Sequence, residues 1–130
     1  SHHSATVRIH VESPLRLLSG GSIAHSLDFG VLLRSQMRRC SSFFAHYGEG
    51  ELELDYVFMS EAAAKVTALE NGFSFTTPAW TQRAGLAGIL GTGEFTDIAD
   101  GMLPLLRLGS YLNAGKGASC GMGVYRIEKV

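Results

Sequence analysis

Apolar and polar residues alternate through Thr6-Val-Arg-Ile-His-Val-Glu12, so Val7, Ile9 and Val11 share one face and Arg8, His10 and Glu12 the other. A period of two predicts a half-buried strand, which Pro14 ends or leaves at a sheet edge. Leu15-Arg-Leu-Leu-Ser-Gly-Gly21 continues as an extended segment into a loop. The period then changes. Phe29, Leu32, Leu33, Met37, Cys40, Phe43 and Phe44 recur three and four residues apart, with Arg34, Arg38, Ser41 and Ala45 opposite. This predicts an amphipathic helix over residues 26–47, capped by Ser26 or Asp28 and closed off by Gly48 and Gly50.

Leu52, Leu54, Tyr56 and Phe58 alternate like a strand, yet Tyr56, Met59, Ala63 and Val66 keep helical spacing and an alanine run follows Asp55. A short helix over residues 55–65, capped by Asp55, is the better reading. Residues 66–77 carry Val66, Thr67, Phe73, Phe75, Thr76 and Thr77 and predict a strand. A second strand is expected over residues 86–95, with bulges or close packing at Gly88, Gly91 and Gly93. Pro78-Ala-Trp-Thr-Gln-Arg-Ala-Gly85 between them reads as a hairpin tip. Thr96 or Asp97 is expected to start the last helix, with Met102, Leu105, Leu106, Leu108 and Leu112 in the core and Pro104 near its beginning. Residues 124–130 form the closing strand. Without the short helix the order is βαββαβ, the split motif of an α+β, ferredoxin-like domain: a four-stranded antiparallel sheet under two helices. In that arrangement the last strand is expected inside the sheet.

At 130 residues and 45% hydrophobic, the chain suits one domain over residues 5–130. Ser1-His2-His3-Ser4 reads as a cloning remnant. No apolar run is long enough to span a membrane, and Cys40 and Cys120 lack metal-type spacing. Both are expected as reduced thiols of a cytoplasmic protein. Eleven basic residues against twelve acidic give a net charge of −1, which argues against a surface uniformly coated by nucleic acid. The distribution says more. Arg34, Arg38 and Arg39 are the only charges between Asp28 and Glu49, and Arg107, Lys116 and Arg126 the only ones between Gly101 and Ile127, while Glu49, Glu51, Glu53 and Asp55 cluster.

The stretch between the last helix and the last strand holds Gly115, Lys116, Gly117, Ser119, Cys120, Gly121 and Gly123. Glycine permits positive φ and close approach, so such a loop could turn its N–H groups outward as an anion-binding nest, with Lys116 adding a point charge. The plain alternative is a helix cap followed by a tight turn. The order helix, loop, strand excludes a Walker loop and a dinucleotide fingerprint. Trp80, Gln82 and Arg83 on the hairpin tip could engage an unpaired base, although Trp80 also suits a strand end. Arg126 belongs on the exposed face of the last strand. Arg34, Arg38 and Arg39 read first as a solvated helix face. His25, in the loop after the first strand, is a weak candidate for acid–base chemistry; His10 and His46 are weaker. Cys120 reads as a small packing residue. No metal-type cluster and no Ser/His/Asp arrangement is visible, and no cofactor is expected.

The run Leu105-Leu-Arg-Leu-Gly-Ser-Tyr-Leu-Asn-Ala-Gly-Lys-Gly-Ala-Ser-Cys-Gly-Met-Gly-Val-Tyr125 resembles the last helix and glycine-rich loop of the RAMP superfamily of CRISPR-associated proteins. More narrowly, it is similar to the C-terminal domain of the endoribonucleases that process CRISPR repeat RNA. Ser13-Pro-Leu-Arg-Leu17, Phe29-Gly-Val-Leu-Leu-Arg-Ser-Gln-Met-Arg-Arg39 and Leu86-Ala-Gly-Ile-Leu-Gly91 support it. The resemblance implies a metal-independent ribonuclease in which the RNA's 2′-hydroxyl attacks the adjacent phosphate. It further implies repeat RNA as partner, held near the junction of two ferredoxin-like domains, and possible contacts with other Cas proteins. In much of the family the catalytic histidine lies in the N-terminal domain, so this chain is expected to be the C-terminal half, lacking the general acid and base. The RNA-binding set is then Gly115, Lys116, Gly117, Ser119, Gly121, Gly123, Arg126, Arg83 and Trp80. A non-catalytic RAMP subunit of an effector complex and a ferredoxin-like small-ligand domain remain as alternatives.

Overall fold

The computed structural model describes residues 5–47, 54–80 and 84–130. The first strand, β1 (Ala5–Leu15), keeps the alternation of its sequence: Val7, Ile9 and Val11 are buried, and Arg8 and His10 hydrogen-bond across the other face. It does not stop at Pro14. The pairing to its neighbour slips between Val11 and Leu15, and Glu12 and Ser13 both turn their N–H groups to the Val124 carbonyl, at 2.8 and 3.4 Å. Pro14 carries no N–H, but its carbonyl accepts from Gly123 at 2.9 Å. A proline is tolerated where an irregularity has already freed its position from the ladder.

The extended segment after β1 folds into a small hairpin of β2 (Leu18–Ser19) and β3 (Ser22–Ile23). Helix α1 (Phe29–Tyr47) follows, capped by Asp28, whose Oδ1 accepts from Val31 N at 3.0 Å. Asp55 caps α2 (Tyr56–Ala63) in the same way, accepting from Phe58 N at 2.9 Å. Strands β4 (Thr67–Thr76) and β5 (Gly88–Ile98) lead to α3 (Met102–Ser110) and β6 (Tyr125–Lys129). The last helix therefore starts later than Thr96 or Asp97. Thr96 pairs with Thr67, and Ile98 pairs with Ala5 and is buried, so strand pairing claims these residues first. Gly101, left-handed at φ 91°, makes the turn, and Pro104 falls in the first helical turn, where its missing N–H costs no bond.

The sheet order is β4-β5-β1-β6, antiparallel throughout, which is the ferredoxin-like arrangement. Each βαβ half skips one position, so β5 lies between β1 and β4, and β1 lies between β5 and β6. The last strand is consequently an edge strand and not an interior one, because β1 and β5 fill the two central places. The core lies between the sheet and the helices, where Leu32, Leu33 and Met37 meet Val7, Ile9, Ile89, Met102 and Leu106. Full burial of each such side chain contributes about 2 kcal/mol. Two residues assigned to the core by spacing lie outside it: Phe43 is 40% exposed and Leu108 36%. No helix among the described residues is long and apolar enough to cross a membrane.

Among the described residues, one polar side chain is fully buried. Gln36 of α1 presents Nε2 to the carbonyls of Gly109 and Asn113, at 2.9 and 3.1 Å, and to the Tyr125 hydroxyl at 3.0 Å. Tyr125 donates in turn to the Leu106 carbonyl at 2.6 Å, and burial pushes its phenol well above the usual range. This knot ties α1, the end of α3 and β6 together on either side of the glycine-rich loop.

Candidate nucleic-acid interface

The loop between α3 and β6 is fastened to the exit of β1. Lys116 N donates to the Arg16 carbonyl at 2.8 Å and Gly123 N to that of Pro14 at 2.9 Å. Ser13 Oγ accepts from Val124 N at 2.8 Å and donates to the Gly121 carbonyl at 2.7 Å. Within the loop, Ala114 N bonds Gly123 O, Cys120 N and Met122 N bond Gly117 O, and Asn113 Nδ2 bonds Ala118 O. Gly115, Gly117, Gly121 and Gly123 all have positive φ. At two of them the backbone leaves no room for a side chain: a Cβ on Gly115 would run into the Arg16 carbonyl, and one on Gly123 into the Ala114 carbonyl. Those glycines let the loop lie directly on neighbouring backbone.

This fastening changes the expected picture of outward-facing amides. The N–H groups of Lys116, Cys120, Gly121, Met122, Gly123 and Val124 are engaged within the protein. Among the described residues, those of Gly115, Gly117, Ala118 and Ser119 have no protein acceptor. Gly117 and Ser119 are exposed, as is the Lys116 side chain, which forms no ion pair among the described residues. A groove of about 160 Å³ opens beside Lys116 and Gly115, lined also by Arg16 and Ser35 and by Arg38 from α1. Arg16 is held in place by donating to the Ala87 carbonyl. It sits inside the stretch Ser13 to Leu17 that sequence resemblance singles out, but only the chain's path past the loop makes it a neighbour of Lys116. A second groove, of about 360 Å³, shares Arg38 and continues along α1 past Arg39, Ser42 and Phe43 to Tyr47.

The remaining candidates lie elsewhere. Arg126 is on the open face of the sheet, where Nε donates to Glu12 at 3.0 Å. Other pairs occupy that face: Arg8 with Glu94 at 3.0 Å and Glu128 at 3.3 Å, while the His10 ring hydrogen-bonds Glu128 at 2.7 Å. The His10 hydrogen bond first, and then Arg8, hold the Glu128 carboxyl below its ordinary range. Trp80, 70% exposed, follows the end of β4, and Gln82 and Arg83 lie outside the described residues. His25 is exposed and stacks flat on Phe75, ring centres 4.1 Å apart. By register, Phe75 and Leu15 both face Ile89, so the exits of β1 and β4 share one end of the sheet. Cys40 is buried, which pushes its thiol up, whereas Cys120 is exposed and not packed away. No group of three or more metal-ligating side chains occurs among the described residues.

The sequence matches a family model described as CRISPR-associated endoribonuclease Cas6 over residues 9–125. In three dimensions the chain is similar to a Cas6 in a substrate-mimic complex, with 19% identity, a TM-score of 0.61 and coverage of 95% of this chain and 53% of that one. A Cas6 of Thermus thermophilus gives 11% identity and a TM-score of 0.69, again over 95% and 53% of the two chains. A Cas6-RT-Cas1–Cas2 complex gives 14% identity and a TM-score of 0.71 over 98% and 14%. At such identities the likeness establishes the fold, and the chain spans about half the length of these Cas6 chains. No curated protein sequence matches it.

Proposed function

The chain belongs to the CRISPR-associated endoribonuclease Cas6 family, and from that membership we propose that it is the RNA-gripping C-terminal half of an enzyme that processes precursor CRISPR RNA. In this reading the RNA's 2′-hydroxyl, losing its proton to a general base, attacks the adjacent phosphate without a metal. The bond to the next nucleotide's 5′-oxygen breaks as a general acid protonates that oxygen, and both groups come from an N-terminal ferredoxin-like domain. The chain described here contributes grip. The observation that carries the reading is Lys116, exposed and without an ion pair among the described residues, on a loop whose exposed Gly117 and Ser119 have N–H groups with no protein acceptor there, beside Arg16 and Arg38. Fixed amides and a point charge receive a phosphate without reading sequence, and Ser119 adds a hydroxyl. Arg126, already paired with Glu12, contributes little to this grip, and Trp80, after the end of β4, would meet RNA at a separate place. In this reading His25, stacked on Phe75, takes no part in catalysis. The protein would act in the cytoplasm, alongside other Cas proteins.

The test is RNA affinity across a salt titration for the wild type and Lys116→Ala. Loss of one phosphate contact weakens binding about tenfold at low salt and lowers the slope of log K against log salt by about 0.7. The chain on its own should bind repeat RNA without cutting it. An unchanged affinity and slope would remove Lys116 from the interface, and efficient cleavage would place a catalytic set within this chain.

A further inference from the structure

The chain disposes of its arginines differently on its two faces. On the open face of the sheet Arg8 and Arg126 each have a carboxylate within 3.3 Å. On the helical side, Arg16, Arg38 and Lys116 line one small groove with no carboxylate among the described residues of its wall. In a chain of net charge −1, unmatched cations gathered in one groove call for an anion from outside. Arg38 also lines the second groove, so the two form one track that starts at the glycine-rich loop and follows α1. From Ser35 to Tyr47 that helix rises roughly 18 Å, the span of a few nucleotides.

The far part of the track changes character. Phe43 and Tyr47, 40% and 75% exposed, lie side by side with ring centres 5.2 Å apart. They share the groove wall with Arg38, Arg39 and His46. Helical periodicity assigns Phe43 to the core, yet the ring stays at the surface next to guanidinium groups. Cations that follow a backbone, with aromatic rings on which bases can stack, are the means by which proteins hold single-stranded nucleic acid without sequence preference.

We propose that a single RNA strand leaving the glycine-rich loop continues along α1, with Arg16 and Arg38 on its phosphates and a following base stacked on Phe43 and Tyr47. This rests on the loop's taking the first phosphate, as proposed above, and adds a second, stacking contact that the loop alone does not supply. Bases are read only by their faces, so the contact tolerates any sequence in the flanking nucleotides.

The experiment measures anisotropy of labelled oligouridylates of about four and about twelve nucleotides with the whole chain, lengths that bracket a single-strand site. Three surface variants are compared: Lys116→Ala at the loop, Ser42→Glu, which sets a carboxylate in the second groove, and Tyr47→Ala. The wild type should bind the longer strand at least about tenfold tighter, and Ser42→Glu and Tyr47→Ala should each remove most of that advantage while leaving the shorter strand unaffected. Lys116→Ala should weaken both strands. If Lys116→Ala weakens both but the two α1 variants weaken neither, the track is wrong and the loop reading stands. If the α1 variants act and Lys116→Ala does not, the strand does not come from the loop and the proposal falls. Equal losses on both strands at Tyr47 would also overturn it. So would an oligoglutamate of matched charge that binds as tightly as the longer RNA, since the groove would then be a site for acidic protein.

Discussion

Replacing Gly123 and Gly121 by alanine, one at a time, separates the two reasons for which a loop needs glycine. Both residues have positive φ, 68° and 87°, so each substitution carries the left-handed penalty of about 1–2 kcal/mol. Around Gly121 a Cβ would meet nothing within 4 Å, and the cost ends there. At Gly123 the Cβ would overlap the Ala114 carbonyl. Relief requires moving the segment whose Gly123 N–H bonds Pro14 and whose Gly123 carbonyl accepts from Ala114, both at 2.9 Å. Two loosened hydrogen bonds at about 1 kcal/mol each, added to the φ penalty, bring the loss to about 3–4 kcal/mol. Urea unfolding followed by circular dichroism reads both variants, and Gly123→Ala should lie about 2 kcal/mol below Gly121→Ala. Equal losses would mean that φ alone selects the glycines and that the loop is not seated on the exit of β1 as described.

Two further predictions concern charge. Gln36→Glu keeps the shape of the buried amide but turns a carboxylate toward the Gly109 and Asn113 carbonyls, so the introduced acid's folded pKa rises above its unfolded value. Its stability relative to the wild type should be best below about pH 4 and fall by up to about 1.4 kcal/mol per pH unit above that. A deficit that does not vary with pH would refute this. Glu128 has the opposite sign: its carboxyl is held low by His10 and then Arg8, so the pairing supports the fold above the unfolded value of about 4.3 and is lost as pH falls through the folded one. Thermal melts of Glu128→Gln should therefore lose less stability on acidification than the wild type, and parallel curves would count against the pairing.

Much of this fold is written in local periodicity. The alternation of Val7, Ile9 and Val11, the stripe from Phe29 to Cys40 and the cap at Asp55 each rest on interactions within a few residues, and each appears where the pattern puts it. What periodicity does not carry is which strand lies next to which. The last strand looks equally strand-like at an edge or in the middle, and only the crossings of α1 and α3 decide. The start of α3 is hidden for the same reason, since Ile98 is claimed by Ala5, ninety residues earlier and more. At the interface the loop itself is visible as a spacing of glycines, whereas its closed amides are not, because their acceptors belong to Ser13, Pro14 and Arg16. Gln36 reads as one more polar residue on a helix until Gly109 and Tyr125 arrive from the other end of the chain.

The edge position of β6 has a mechanical consequence. Just past the strand, Val130 N bonds back to Thr6 O in β1 at 2.9 Å, and among the described residues its only partner strand is β1. A motor that pulls on this end meets a zipper, not a shear: the five rungs from Lys129 to Tyr125 open one after another. The next tethers in line are Val124 and Gly123 on Ser13 and Pro14. An unfoldase working from that direction would dismantle the loop before it disturbs the packed layer beneath the helices.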